Sequence, residues 1–77
     1  MNVVDKELDV KGLKCPMPLL KAKKTLNDME AGAVLKVLAT DPGSKRDFDV
    51  FARQSGNALL DSTNSDGVYS YYLRKKN

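Results

Sequence analysis

One side chain in this sequence can form and break covalent bonds without borrowed machinery: Cys15, the sole cysteine among 77 residues. It stands in the stretch Leu13-Lys14-Cys15-Pro16-Met17-Pro18-Leu19-Leu20. Each proline fixes its own φ and turns the preceding residue away from the helical region, so Cys15 and Met17 are expected to be extended and a helix to begin close to Pro18. The sulfur would then sit at a helix entrance, where free N–H groups and the positive end of the macrodipole favour an anion. Lys11, Lys14 and Lys21 are near enough in sequence to add to that field. The expected species is a thiolate, with a pKa below the roughly 8.5 of an unperturbed cysteine. Pro16 and Pro18 carry no N–H, which leaves Met17, Leu19 and Leu20 as donors in the first turn, with none of the three singled out.

A lone cysteine is commonly a small buried hydrophobe. Here the surroundings favour exposure, because the residue follows Gly12 in a connection punctuated by proline and flanked by lysine. The chain contains no histidine, so the commonest zinc ligand and the usual base beside a nucleophilic cysteine or serine are both missing. Metal centres, hydrolase triads and internal disulfides fall away on composition, and no cofactor is implied. What remains is a sulfur nucleophile with Cys15 as the reacting group, Gly12, Pro16 and Pro18 as supports of the motif, and Lys11 and Lys14 as its electrostatic support.

The elements that must position Cys15 can be read from periodicity. Val4, Leu8 and Val10 alternate with Asp5, Glu7 and Asp9, which predicts a first strand with one wet face. From Pro18, the residues Leu19, Ala22, Leu26 and Met29 fall at helical spacing, with Gly32 as the expected stop. Val34 to Ala39 is a short apolar run of the kind found in central strands. Asp41-Pro42-Gly43-Ser44 is a turn cluster, and Ser44 with Asp47 resembles a capping box opening a second helix with Phe48, Phe51, Ala52 and Ser55 as its buried stripe and Gly56 as its end. Ala58 to Thr63 and Val68 to Lys75 flank an Asp66-Gly67 step, the signal of a hairpin whose last strand turns Tyr69, Tyr71 and Leu73 to one face. The expected fold is therefore α+β: a two-layer α/β sandwich of order βαβαββ, with a mixed four-stranded sheet and two helices on one face.

A chain of this length makes one core, so residues 1–77 are expected to form a single domain. Hydrophobic residues at 42% and charged residues at 30% suit a globular protein rather than disorder, and no window is apolar enough to span a bilayer. Neither a secretion signal nor a membrane role is expected, which points to the cytoplasm. The net charge of +3 is compatible with an acidic protein partner or with RNA. Its densest clusters, Lys21, Lys23 and Lys24 and then Arg74, Lys75 and Lys76, read more simply as solvated surface, so direct nucleic-acid binding is not expected.

Four stretches also resemble the small sulfur-carrier proteins of the TusA/SirA/YedF type. They are Leu8 to Pro18 with its Cys-Pro-x-Pro motif, then Asp41-Pro42-Gly43-Ser44, and Gly56-Asn57-Ala58-Leu59-Leu60 together with Tyr72-Leu73-Arg74-Lys75. They are spread along the chain, so the resemblance extends over roughly all of it from Leu8 onward. The resemblance implies the same fold and a persulfide relay on Cys15, with a cysteine desulfurase or rhodanese-like donor, an acceptor protein, and a monomeric carrier rather than a stand-alone turnover enzyme. Pathways known for the family include tRNA thiolation, molybdenum-cofactor assembly and sulfur oxidation. Many relatives have Glu where this chain has Met17, and the motif does not choose among the pathways.

Two other classes compete with a sulfur carrier. A non-catalytic RNA- or protein-binding regulatory module would use the basic surface and leave Cys15 incidental, and its nucleic-acid affinity would fall steeply with salt. A thiol redox sensor would need a second thiol from outside the chain to resolve its oxidised form.

Overall fold

Alternating and helical patterns fold where the sequence places them. The structure, a computed structural model, describes residues 4–77, so the opening Met-Asn-Val lies outside it. Its elements are β1 (Lys6–Asp9), α1 (Met17–Asn27), β2 (Val34–Ala39), α2 (Ser44–Ser55), β3 (Ala58–Ser65) and β4 (Val68–Arg74). They form one four-stranded sheet of order β1-β2-β4-β3. β1 runs parallel to β2, with Leu8 opposite Val37. β4 pairs antiparallel with both β2 and β3. The expected α+β architecture is what the chain adopts.

Register explains which residues enter the core. Leu35, Val37 and Ala39 of β2 lie opposite Leu73, Tyr71 and Tyr69 of β4. This face is covered by Ala22 and Leu26 of α1 and by Phe48 and Phe51 of α2, with Val10 closing the β1 end. Phe48 stacks on Tyr71 with ring centroids 4.4 Å apart, an aromatic pair that adds to its area burial. On the opposite sheet face Lys36 reaches over the Tyr72 ring at 5.6 Å. At the hairpin, Asp66 and Gly67 have φ of 52° and 82°, positive at both central positions as a type I′ turn requires.

β3 runs on to Ser65, past the expected Thr63, and β4 stops at Arg74, short of Lys75; three helix boundaries also differ from the sequence reading. α1 begins at Met17 rather than Pro18, so Met17 is helical instead of extended. It also ends at Asn27, well before Gly32: Asp28 and Met29 donate to the carbonyls of Thr25 and Leu26, the tightening that closes many helices. Gly32, at φ 87°, instead shapes the turn into β2 and donates its N–H to the Lys75 carbonyl. Ser44 is not a cap. Gly43 holds that position, and the Ser44 side chain, 1% exposed, is directed inward to share a 2.6 Å hydrogen bond with the Tyr71 hydroxyl.

Candidate functional site

Two parallel strands end side by side at one edge of the molecule, and the loops that leave them converge there, the arrangement that gathers functional groups in sheets of this kind. The first loop, after β1, carries Cys15; the second, after β2, carries Thr40, Asp41 and Gly43. Gly12 makes the turn out of the first strand at φ 85° and donates its N–H to Thr40 Oγ1 at 2.9 Å. The loops are thus stitched together three residues before the sulfur.

Cys15 is exposed and is a free thiol. Its backbone N–H donates to Asp41 Oδ2 at 3.1 Å, and its Sγ donates to Asp47 Oδ2 at 2.7 Å. Both carboxylates are half-buried. Gly43 lies between Asp41 and Cys15: a β-carbon there would meet Asp41 Oδ2 at 3.3 Å and the Cys15 β-carbon at 4.0 Å. Asp47 stands in the first turn of α2, so the favourable end of that helix's dipole acts on a carboxylate, not on the sulfur.

This geometry reverses the expected thiol acidity. The hydrogen bond to Asp47 raises the Cys15 pKa above its ordinary value, with desolvation and then the negative charges of Asp47 and Asp41 acting the same way. The thiol form is favoured. Two expectations fail for identifiable reasons. In the first turn of α1, Met17 N–H donates to the Lys14 carbonyl and Leu20 N–H to the Pro16 carbonyl, so these donors are taken by backbone. Lys11, whose backbone N–H also donates to Asp9, lies 3.8 Å from the Asp9 carboxylate through its Nζ. Lys14 is exposed, and neither lysine figures among the charges that move the thiol.

The motif residues have separate tasks. Pro16 is the N-cap of α1, its bond to Cys15 is cis, and Pro18 is buried in the second position of the helix. Sequence reasoning missed Asp41 and Asp47. Asp41 looked like a turn residue and Asp47 like half of a capping box. The available signal was topological, since parallel β1 and β2 require their C-terminal loops to meet. Among the described residues, no group of three histidine, cysteine, aspartate or glutamate side chains gathers to hold a metal ion.

A family model described as sulfurtransferase TusA matches residues 6–75. The chain belongs to the TusA family. It is 55% identical over 71 residues to the sulfur carrier protein TusA of Allochromatium vinosum, covering 92% of this chain and 93% of that protein. It is 43% identical over 72 residues to the sulfur carrier protein TusA of Pseudomonas entomophila, covering 94% and 90% respectively. The crystal structure of a SirA-like protein from Desulfitobacterium hafniense superposes with a TM-score of 0.82 at 28% identity, over 94% of this chain and 99% of that one. The TusA match spans both converging loops, and with them Cys15, Asp41 and Asp47. No helix among the described residues is long and apolar enough to cross a membrane.

Proposed function

We propose that this protein is a sulfur carrier, in which Cys15 takes the outer sulfur of a persulfide on a donor protein and passes it to an acceptor protein. The observation that supports this most directly is an exposed, free thiol held at the meeting point of two loops in a chain that matches the TusA model over almost its full length. Accessibility is what the chemistry demands, because the attacking sulfur must line up with a sulfur borne by another protein.

The step is a substitution at sulfur. Cys15 Sγ, having lost its proton, forms a bond to the outer sulfur of R–S–SH while the bond between the donor's two sulfurs breaks. The donor leaves as a thiolate and takes up a proton, so Cys15–SH and R–S–SH become Cys15–S–SH and R–SH. No external oxidant or reductant is needed. Gly12 sets the turn that leads to the sulfur, and Pro16 and Pro18 fix where α1 starts beneath it. The carrier works as a monomer in the cytoplasm, where thiols stay reduced, and a cysteine desulfurase or rhodanese-like protein is the donor class. Delivery could serve tRNA thiolation, molybdenum-cofactor assembly or sulfur oxidation.

Intact-mass measurement tests this reading. After incubation with a cysteine desulfurase and free cysteine, or with a persulfidated rhodanese, the wild type is expected to gain one sulfur atom that reductant removes, and Cys15→Ser to gain none. Failure of the wild type to load from either donor class would overturn it, as would equal loading of the serine variant.

A further inference from the structure

The sulfur site is more acidic than a nucleophile needs. Cys15 Sγ donates to Asp47 at 2.7 Å, and Asp41 accepts from the Cys15 N–H at 3.1 Å. Neither carboxylate is in an ion pair among the described residues. Of the cations nearby in sequence, Lys45, on the same turn as Asp47, reaches Asp49 at 2.6 Å, Lys11 lies with Asp9, and Arg46, beside Asp47, is exposed and in no ion pair among the described residues. Lys14, adjacent in sequence, is exposed to solvent. Cys15 therefore faces two negative charges, from α2 and from the loop before it, and neither is paired with a cation among the described residues.

We propose that Asp47 is a positioning residue of the sulfur site: it holds Cys15 as a hydrogen-bonded thiol while the protein is alone, and a cationic side chain of the sulfur-exchanging partner releases the sulfur by pairing with Asp47. This rests on the sulfur-carrier reading and adds the chemistry by which a partner is chosen. A lysine or arginine beside the partner's reactive sulfur would compete for the Asp47 oxygen and cancel its charge. Both effects favour the thiolate. A partner bringing only negative charge would meet Asp41 and Asp47 unscreened. The raised thiol pKa agrees with this arrangement, having the Asp47 hydrogen bond as its largest cause. In this device reactivity is gated by the partner's charge, which protects a solvent-exposed thiol between encounters.

Thiol–disulfide exchange with small probes tests the idea without any sulfur donor. The probes are cystamine (cationic), hydroxyethyl disulfide (neutral) and dithiodipropionate (anionic). In each reaction the Cys15 thiolate forms a new S–S bond and one probe thiolate leaves. Native protein is expected to prefer cystamine over dithiodipropionate by on the order of ten-fold more than the denatured chain does, since an opposite charge within a few Å is worth about a pKa unit or more. Asp47→Asn should erase most of that preference while raising the rate with the neutral probe, and Asp41→Asn should lower the preference less. Circular dichroism and thermal melts confirm that both variants fold; if Asp47→Asn does not, Asp47→Glu, which keeps the charge, should retain the preference, and its loss there would count against the proposal. Equal probe preference in native and denatured wild type would overturn the proposal, and so would a preference that survives in folded Asp47→Asn. A failure here leaves the sulfur-loading measurement untouched, so the two readings can fail separately.

Discussion

At the scale of residues, the thiol of Cys15 makes alkaline pH a probe of the site. Its pKa is higher in the folded chain than in the unfolded one, chiefly because Sγ donates to Asp47. The stabilisation this gives is fully present below the unfolded value of roughly 8.5 and is lost as pH rises through the folded value. Relative to Cys15→Ala, the wild type should therefore lose stability as pH is raised from neutral into the range above 9. Paired urea titrations at the two pH values check this, because the lysines and tyrosines that also titrate are common to both proteins. A gap that stays constant or widens in favour of the wild type would mean that the thiol is not the favoured form. The sequence singled out Cys15 as the candidate nucleophile and expected it to be exposed, as it is. It did not show the sign of the field, because that field comes from Asp41 and Asp47, 26 and 32 positions further along, while Lys11 lies with Asp9 and Lys14 is exposed to solvent.

Among the elements, α2 carries Asp47, the hydrogen-bond partner of the sulfur, and is pinned by a contact that no periodicity reveals. Ser44 and Tyr71 share a 2.6 Å hydrogen bond inside the core, at 1% and 0% exposure. It fixes the first turn of α2 three residues before Asp47. Removing one partner leaves the other buried and unsatisfied, at a cost of about 1–3 kcal/mol, whereas removing both costs less than the sum. Ser44→Ala and Tyr71→Phe are each expected to destabilise within that range, with the double variant falling well short of additivity in a urea double-mutant cycle. Strict additivity would show that the two hydroxyls act independently. The legibility of elements follows the same logic. Existence and order of all six could be read from apolar spacing and from the Asp66-Gly67 turn, while the ends of α1 and the cap of α2 could not. Ser44 carries the chemistry of a cap and is used for the core; Gly32 carries the chemistry of a stop and is used in the turn before β2. Such residues satisfy two local rules, and tertiary contacts decide between them.

At the scale of the whole molecule, the edge that carries Cys15 and the packed centre are separate regions of a small protein. The core of Leu35, Val37, Leu73, Tyr71 and Phe48 is closed by helices on one sheet face, while Cys15 lies on the loop beyond the end of β1. The basic terminal run is at the other end of the sheet, since Arg74 pairs with Val34 at the start of β2, so this cluster of positive charge does not reach the sulfur. Stability and sulfur chemistry should accordingly respond to different substitutions. A chain of this size has about 4–12 kcal/mol of net stability by the usual per-residue range. Leu35 is fully buried between β1 and β4, and truncating a leucine in such a place costs about 2–5 kcal/mol. Leu35→Ala should lower the urea midpoint sharply, yet the fraction that remains folded should alkylate at Cys15 with the native pH dependence. Cys15→Ser should do the reverse, leaving the midpoint close to that of the wild type at neutral pH and removing sulfur loading. If Leu35→Ala shifted the alkylation profile of its folded fraction, the loops at the sulfur edge would have to be held by the core packing itself, and the hydrogen bonds from Gly12 to Thr40 and from Cys15 to Asp41 and Asp47 would not be enough to set the geometry there.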